Sequence, residues 1–171
     1  MESDSLQFGL AQPADTAVVC ALLEEAGQWL EARGIDQWPS QLPPQLIAAV
    51  GHRIAWGETY LAMLAGEPVG TLTLQWSDLA VWGEQPPVAG YVHGLAIRRS
   101  VGGQGIGQRM LEWAAAQVAS AGRHYLRLDC RADNAALCTY YQRAGFRPCG
   151  RSEQGRWSAQ LFQKRVSQVC V

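Results

Sequence analysis

The sequence predicts an α/β (α+β) domain in which helices flank a mixed sheet. Three observations carry this expectation. Short apolar runs with a two-residue alternation interleave with longer runs of helical period. Glycine and proline punctuate them, with no internal repeat, low-complexity tract or linker. The chain has 171 residues, 48% apolar and 17% charged, enough for one core, so residues 1–171 are expected to form a single domain.

The elements follow in order. SLQFGLAQ reads as a first short strand. Pro13 opens a helix whose Val18, Leu22, Leu23, Trp29 and Leu30 share a face, and which runs to about Arg33 and stops at Gly34. GIDQWPSQLPP is a loop, and Pro43-Pro44 starts a short second helix through Ile47 and Val50. TYLAMLA and PVGTLTLQW flank Gly66-Glu67 as a hairpin. DLAVWGEQPP is a connection with some strand character, and AGYVHGLAI is a strand. Gly105 to Ala121 is a helix with Ile106, Met110, Ala114 and Val118 as its apolar stripe. HYLRLDC is a strand, Asn134 to Ala144 a helix ended by Gly145, and FRPCGRS and SAQLFQKRV are the last two strands. The order is β-α-α-β-β-β-α-β-α-β-β.

Bulk chemistry narrows the classes. No segment approaches the roughly 18 apolar residues of a membrane span, and the polar, acidic start MESDSLQF is no secretory signal. A cytoplasmic protein with no membrane partner is therefore expected. The five cysteines, Cys20, Cys130, Cys138, Cys149 and Cys170, are odd in number and contain no CxxC pair, which speaks against a disulfide framework or a metal site. They read as reduced thiols. Residues 1–97 carry two basic and eleven acidic side chains, a net of −9, and residues 98–171 twelve and four, a net of +8. Such a split suits an anion held by the second half and a cation met by the first.

Gly102, Gly103, Gly105 and Gly107 stand where a strand hands over to a helix. Amides at such a helix start have no partner in a preceding turn, and glycines let a ligand approach them, so the segment reads as a diphosphate cradle. It is not a Walker loop, because Gln108 stands where lysine is required. Nor is it a dinucleotide fingerprint: Gly103-x-Gly105 is followed by Gln108, mid-chain and behind a hairpin. A kinase-like nucleotide protein is disfavoured accordingly.

Leu95-Ala96-Ile97 followed by Gly102-Gly103-Gln104-Gly105-Ile106-Gly107 resembles the signature of the GNAT superfamily of acetyl-CoA-dependent N-acetyltransferases, (Q/R)-x-x-G-x-(G/A) after a hydrophobic-x-hydrophobic strand end. The opening Gln or Arg falls on Gly102. A second patch, ADNAALCTYYQRAGFRP, resembles that family's late helix through Asn134, Tyr141, Ala144, Gly145 and Phe146. The resemblance is specific over residues 91–146. It implies a mostly antiparallel central sheet, acetyl-CoA as cofactor with no metal, and a homodimer paired through the last strands as one expected assembly.

It also implies site residues. Gly102 to Gln108 would hold the diphosphate, with Arg98, Arg99 and Arg109 as nearby cations. Backbone groups of Leu95, Ala96 and Ile97 would pair with the pantetheine arm and polarise the thioester, and Asn134 would hold the same arm. Tyr141 is the candidate acid for the leaving thiolate, Tyr140 pointing about 100° away on a helix. His93 is the candidate base. By the two-residue period it shares a face with Tyr91, Leu95 and Ile97. His52 and His124 read as surface. Acceptor binding falls to Trp38, Asp36, Glu31, Trp82 and Tyr91, since a carboxylate beside an aromatic ring suits a cationic amine.

The expected reaction is acetyl transfer to a primary amine of a small cationic molecule by direct attack. The alternatives are a protein or peptide acceptor and a non-catalytic acyl-CoA sensor. A nucleic-acid partner is disfavoured by the acidic first half.

Overall fold

A computed structural model describes residues 5–168. Its elements are β1 (Gln7–Leu10), α1 (Thr16–Glu31), α2 (Pro44–Ala55), β2 (Thr59–Leu64), β3 (Glu67–Gln75), β4 (Ala89–Ile97), α3 (Ile106–Ser120), β5 (Tyr125–Arg131), α4 (Ala135–Arg143), β6 (Arg147–Glu153) and β7 (Ser158–Arg165). The order is the one read from the sequence. Short 3-10 turns at Pro13–Asp15 and Arg99–Val101 precede α1 and α3. Residues 1–4 and Cys170 lie outside the described residues.

The sheet has seven strands in the order β1-β2-β3-β4-β5-β7-β6. β4 and β5 run parallel over Ala89–Tyr91 against Tyr125–Arg127. The pairs β1–β2, β2–β3, β5–β7 and β6–β7 are antiparallel. β6 forms one edge and is exposed along nearly its whole length. Among the described residues no helix is long and apolar enough to cross a membrane.

The backbone divides into two compact units. One holds residues 1–74 and 94–110, the other 75–93 and 111–171. In the first, α1 presents Val19, Leu22 and Leu23, α2 presents Val50 and Ile54, and these pack with Leu42, Leu61 and Ala96. In the second, Phe162, Leu126, Leu128 and Val118 are fully buried. The stripe read on α3 is correct, with Ile106, Met110, Ala114 and Val118 all buried.

α2 contains Ile47 and Val50 as expected, burying Val50 and Ile54 and leaving Ile47 exposed. Local details differ from expectation elsewhere. The β2–β3 turn is Ala65-Gly66, with φ of 49° and 80°, and Glu67 already pairs with Leu64. A two-residue turn of the primed kind requires positive φ at both positions. Residues 76–88 contain no strand and fold as successive turns. Gly94, within β4, takes φ +57°.

Candidate active site

The glycine loop lies in the first unit. Arg98 N–H donates to Val69 O at 2.8 Å and Gly102 N–H to Arg99 O at 3.0 Å, closing the turn that follows β4. Gly103 and Gly105 then take φ of +77° and +74°. A Cβ built on either would meet nothing within 4 Å, so both face open space. Arg109 N–H donates to Gly105 O at 3.1 Å. The amides of Gly103, Gln104, Gly105, Ile106 and Gly107 make no hydrogen bond among the described residues. This run at the start of a 15-residue helix suits a diphosphate, through backbone dipoles rather than side chains. Ile106 is only 3% exposed and anchors the helix, leaving its amide to the ligand.

The flanking arginines differ from expectation. Arg99 donates from Nε and Nη2 to Ile97 O at 3.1 and 2.7 Å, and its guanidinium lies 4.9 Å from the Trp29 ring. It holds the end of β4 rather than offering an open cation. Arg98 donates Nε to Pro68 O at 3.0 Å, with the rest of its guanidinium uncommitted. Arg109 and Gln108 are exposed on the first turns of α3. Ala96 is buried in the core, so Leu95 and Ile97, half-buried on either side, are the more accessible strand positions.

The second unit holds a polar cluster. His93 Nε2 lies 3.3 Å from Asp78 Oδ2. Asp78 reaches that position because its Oδ1 accepts the Val81 N–H at 3.2 Å and its own carbonyl accepts the Trp82 N–H at 2.9 Å. Its side chain is only 7% exposed, and Oδ2 has no hydrogen bond. Asp129 on β5 completes the group: one ligand atom from each of Asp78, His93 and Asp129 lies within 4.8 Å of the others. Burial raises the Asp129 carboxyl above the ordinary carboxylate range, and Asp78 adds to the rise while His93 opposes it. The spacing would admit a cation, whether a metal ion or an ammonium.

Neither carboxylate was singled out from sequence. The parallel register pairs Tyr91 with Arg127, so the next same-face residues along the two strands are His93 and Asp129. That pairing is the signal that would have found Asp129. Asp78 had none, since its segment reads as a connection with some strand character.

Two acceptor candidates serve the protein itself. Tyr91 is buried, and its hydroxyl accepts from Arg127 Nη1 at 2.9 Å. Arg127 also donates to Gln85 at 3.2 Å and to Gln163 at 2.9 Å, and lies 4.7 Å from the Trp82 ring. The Trp82 ring thus already meets a cation, while its indole N–H is buried without a partner. In the first unit Glu31 and Asp36 are exposed and Trp38 packs on the core with its indole N–H buried and unpaired. Trp29 is covered by Arg33 at 3.8 Å.

α4 begins at Asn134, whose Oδ1 accepts the Leu137 N–H at 3.2 Å. Asn134 is therefore an N-cap, with its side-chain oxygen in use. Tyr141 is 7% exposed, its ring 5.9 Å from Phe146 and 5.8 Å from Phe162. Its hydroxyl makes no hydrogen bond among the described residues, yet is not among the sealed, unpaired polar atoms. Burial raises the phenol well above its ordinary range. Tyr140 is 40% exposed, as its place on the helix predicted. His52 and His124 are exposed.

A glycine-rich turn feeding a helix, in a mixed sheet with one parallel pair, is the arrangement of an α/β protein suited to an acyl carrier. Comparison with known proteins places the chain within that class. Residues 22–146 match the Acetyltransferase (GNAT) family. A Bacillus subtilis (strain 168) protein, the uncharacterized N-acetyltransferase YesJ, is 31% identical over 177 residues, covering 98% of this chain and 96% of that one. The chain belongs to the GNAT acetyltransferase family, whose acyl donor is acetyl-CoA. Solved structures share the fold. A GNAT-family acetyltransferase from Listeria monocytogenes 4b F2365 has a TM-score of 0.76 at 24% identity, over 94% of this chain and 95% of that one. An aminoglycoside acetyltransferase, AAC(6')-Ib, in complex with parmomycin and acetyl-CoA, has a TM-score of 0.74 at 21% identity, over 95% and 94%.

Proposed function

We propose that the whole chain works as one N-acetyltransferase domain, moving an acetyl group from acetyl-CoA to the primary amine of a small cationic molecule by direct attack. The observation that carries this reading is the Asp78–His93–Asp129 cluster. An alkyl amine with a pKa near 10.4 arrives protonated and must lose that proton before it attacks. The Asp78 and Asp129 carboxylates favour the ammonium on arrival, and the His93 imidazole beside Asp78 accepts the proton. The neutral amine then attacks the thioester carbonyl. The fold neighbour solved with an aminoglycoside, a small polycationic amine, supports the acceptor class.

The donor's diphosphate sits on the amides of Gly103 to Gly107, with Gly102, Gln104 and Gln108 around it and Arg98 as the available cation. Backbone of Leu95 to Ile97 would meet the pantetheine arm and the thioester oxygen, and the family resemblance assigns Asn134 to the same arm. Tyr141 returns a proton to the departing thiolate. Burial holds the phenol in its acid form across the working range. It also makes the phenol a weaker acid than an exposed one.

A thiol-release assay with acetyl-CoA against polyamines, aminoglycosides, amino acids and peptides tests the acceptor class. Turnover on polycationic small amines is expected. Turnover confined to peptides, or to neutral amines, contradicts the reading.

A further inference from the structure

We infer that Cys130 and Cys138 form an oxidisable dithiol, which small-molecule disulfides such as oxidised glutathione close to an intramolecular disulfide, and that closure stops turnover by drawing α4 onto β5. The two sulfurs lie 3.6 Å apart. Cys130 sits in β5 and is 3% exposed, whereas Cys138 in α4 is half-buried and reachable. No sequence spacing announced the pair. The strand ends at Arg131, the turn closes through Asn134 N–H to Arg131 O at 3.1 Å, and the helix folds back over the strand.

The two sulfurs divide the chemistry. The Cys138 thiolate attacks one sulfur of the reagent RSSR, forming a Cys138–S–S–R mixed disulfide and expelling RS⁻. Cys130 then loses its proton to solvent and attacks Cys138 Sγ, expelling the second RS⁻. In sum, two protein thiols and RSSR give one protein disulfide and two RSH, with two electrons passing from protein to reagent. Burial and the Cys138 thiol hold the Cys130 pKa well above its ordinary value, so this second step is slow at neutral pH and quickens as pH rises. Cys149, exposed and without a neighbouring thiol among the described residues, can take a mixed disulfide but not resolve it.

Closure matters because of where it acts. A disulfide needs an S–S distance of about 2.05 Å, so the sulfurs must approach from 3.6 Å. Asn134, Cys138 and Tyr141 stand at i, i+4 and i+7 on one face of α4. The pull is therefore applied between the cap residue and the proposed acid. A misplacement of order 1 Å costs turnover up to about 100-fold.

The consequence for turnover rests on the role proposed for Tyr141, whereas formation of the bond does not. The full-length protein is incubated with oxidised glutathione at mildly alkaline pH, desalted, alkylated and mapped by non-reducing peptide mass spectrometry, with thiol release assayed in parallel. A linked Cys130–Cys138 peptide is expected, with turnover down at least about tenfold and restored by dithiothreitol. Cys138→Ser should keep the turnover of the reduced protein and resist inactivation while Cys149 is still modified. Cys138→Ala serves if the serine variant is unstable. A stable glutathione adduct at Cys138, or no modification there, overturns the dithiol. A linked peptide with unchanged turnover overturns the catalytic consequence and leaves the acetyltransferase reading intact.

Discussion

Tyr141 and Asp129 show how single residues divide between stability and chemistry. The Tyr141 ring is held by Phe146 and Phe162 while its hydroxyl makes no bond among the described residues. Tyr141→Phe should therefore fold normally and bind acetyl-CoA with unchanged affinity, yet lose at least about tenfold in kcat. Calorimetry and steady-state kinetics check the two halves, and unchanged kcat removes Tyr141 from the mechanism. Asp129 carries the opposite signature. Its folded pKa is raised, mainly by burial. Below the ordinary value of 3.8 the carboxyl is neutral in folded and unfolded chains alike, and Asp129→Asn should change stability little. As pH rises through the raised folded value, the wild type loses stability that the variant keeps. The variant should thus melt higher at pH 7 and equally at pH 3.5, while its turnover falls, the pattern of a residue kept for function. A lower Tm for the variant at pH 7 would contradict the buried-charge account. Of the residues proposed to carry chemistry, His93 and Tyr141 stand out in the sequence by type and position, but Asp129 needs the β4–β5 register and Asp78 the turn that follows it.

At the scale of elements, close approach and backbone sign decide what periodicity cannot. α1 runs so near the following loop that a Cβ on Gly27 would collide with the Pro39 carbonyl. Gly27→Ala should destabilise by roughly 1–3 kcal/mol through overpacking, read as a fall in denaturation midpoint. Gly103 poses a different case. Its surroundings are empty but its φ is +77°. Gly103→Ala should cost about 1–2 kcal/mol of backbone strain and weaken coenzyme binding further, since the added methyl stands where the ligand approaches. Equal affinity with lowered stability would place the diphosphate elsewhere. Helices were read well because their stripes repeat, as Ile106, Met110, Ala114 and Val118 show. The positive φ at Gly94 was not readable, since it changes the local backbone without altering composition. The end of α4 shows a related economy: Lys164 Nζ donates to Ala144 O at 2.9 Å, so a distant strand caps the helix.

The charge pattern changes meaning at the scale of the whole molecule. The −9 and +8 of the sequence halves become nine acidic against five basic side chains in the first compact unit, and six against nine in the second. Asp78 crosses from the acidic half into the net positive unit because β4 is shared. On the proposed reading, attraction for a cationic acceptor is local to Asp78 and Asp129, not a field of the whole half. KM for a polycationic amine should then change less than about threefold between low and physiological salt, because half-buried pairs are screened weakly. A steep salt dependence would restore long-range steering. The central claim concerns where acetyl-CoA is held, and an amide-resolved NMR titration of the full chain with coenzyme A addresses it most directly. The largest shifts should fall on the amides of Gly103 to Gly107. Largest shifts at any other segment, with those five amides unmoved, would contradict it.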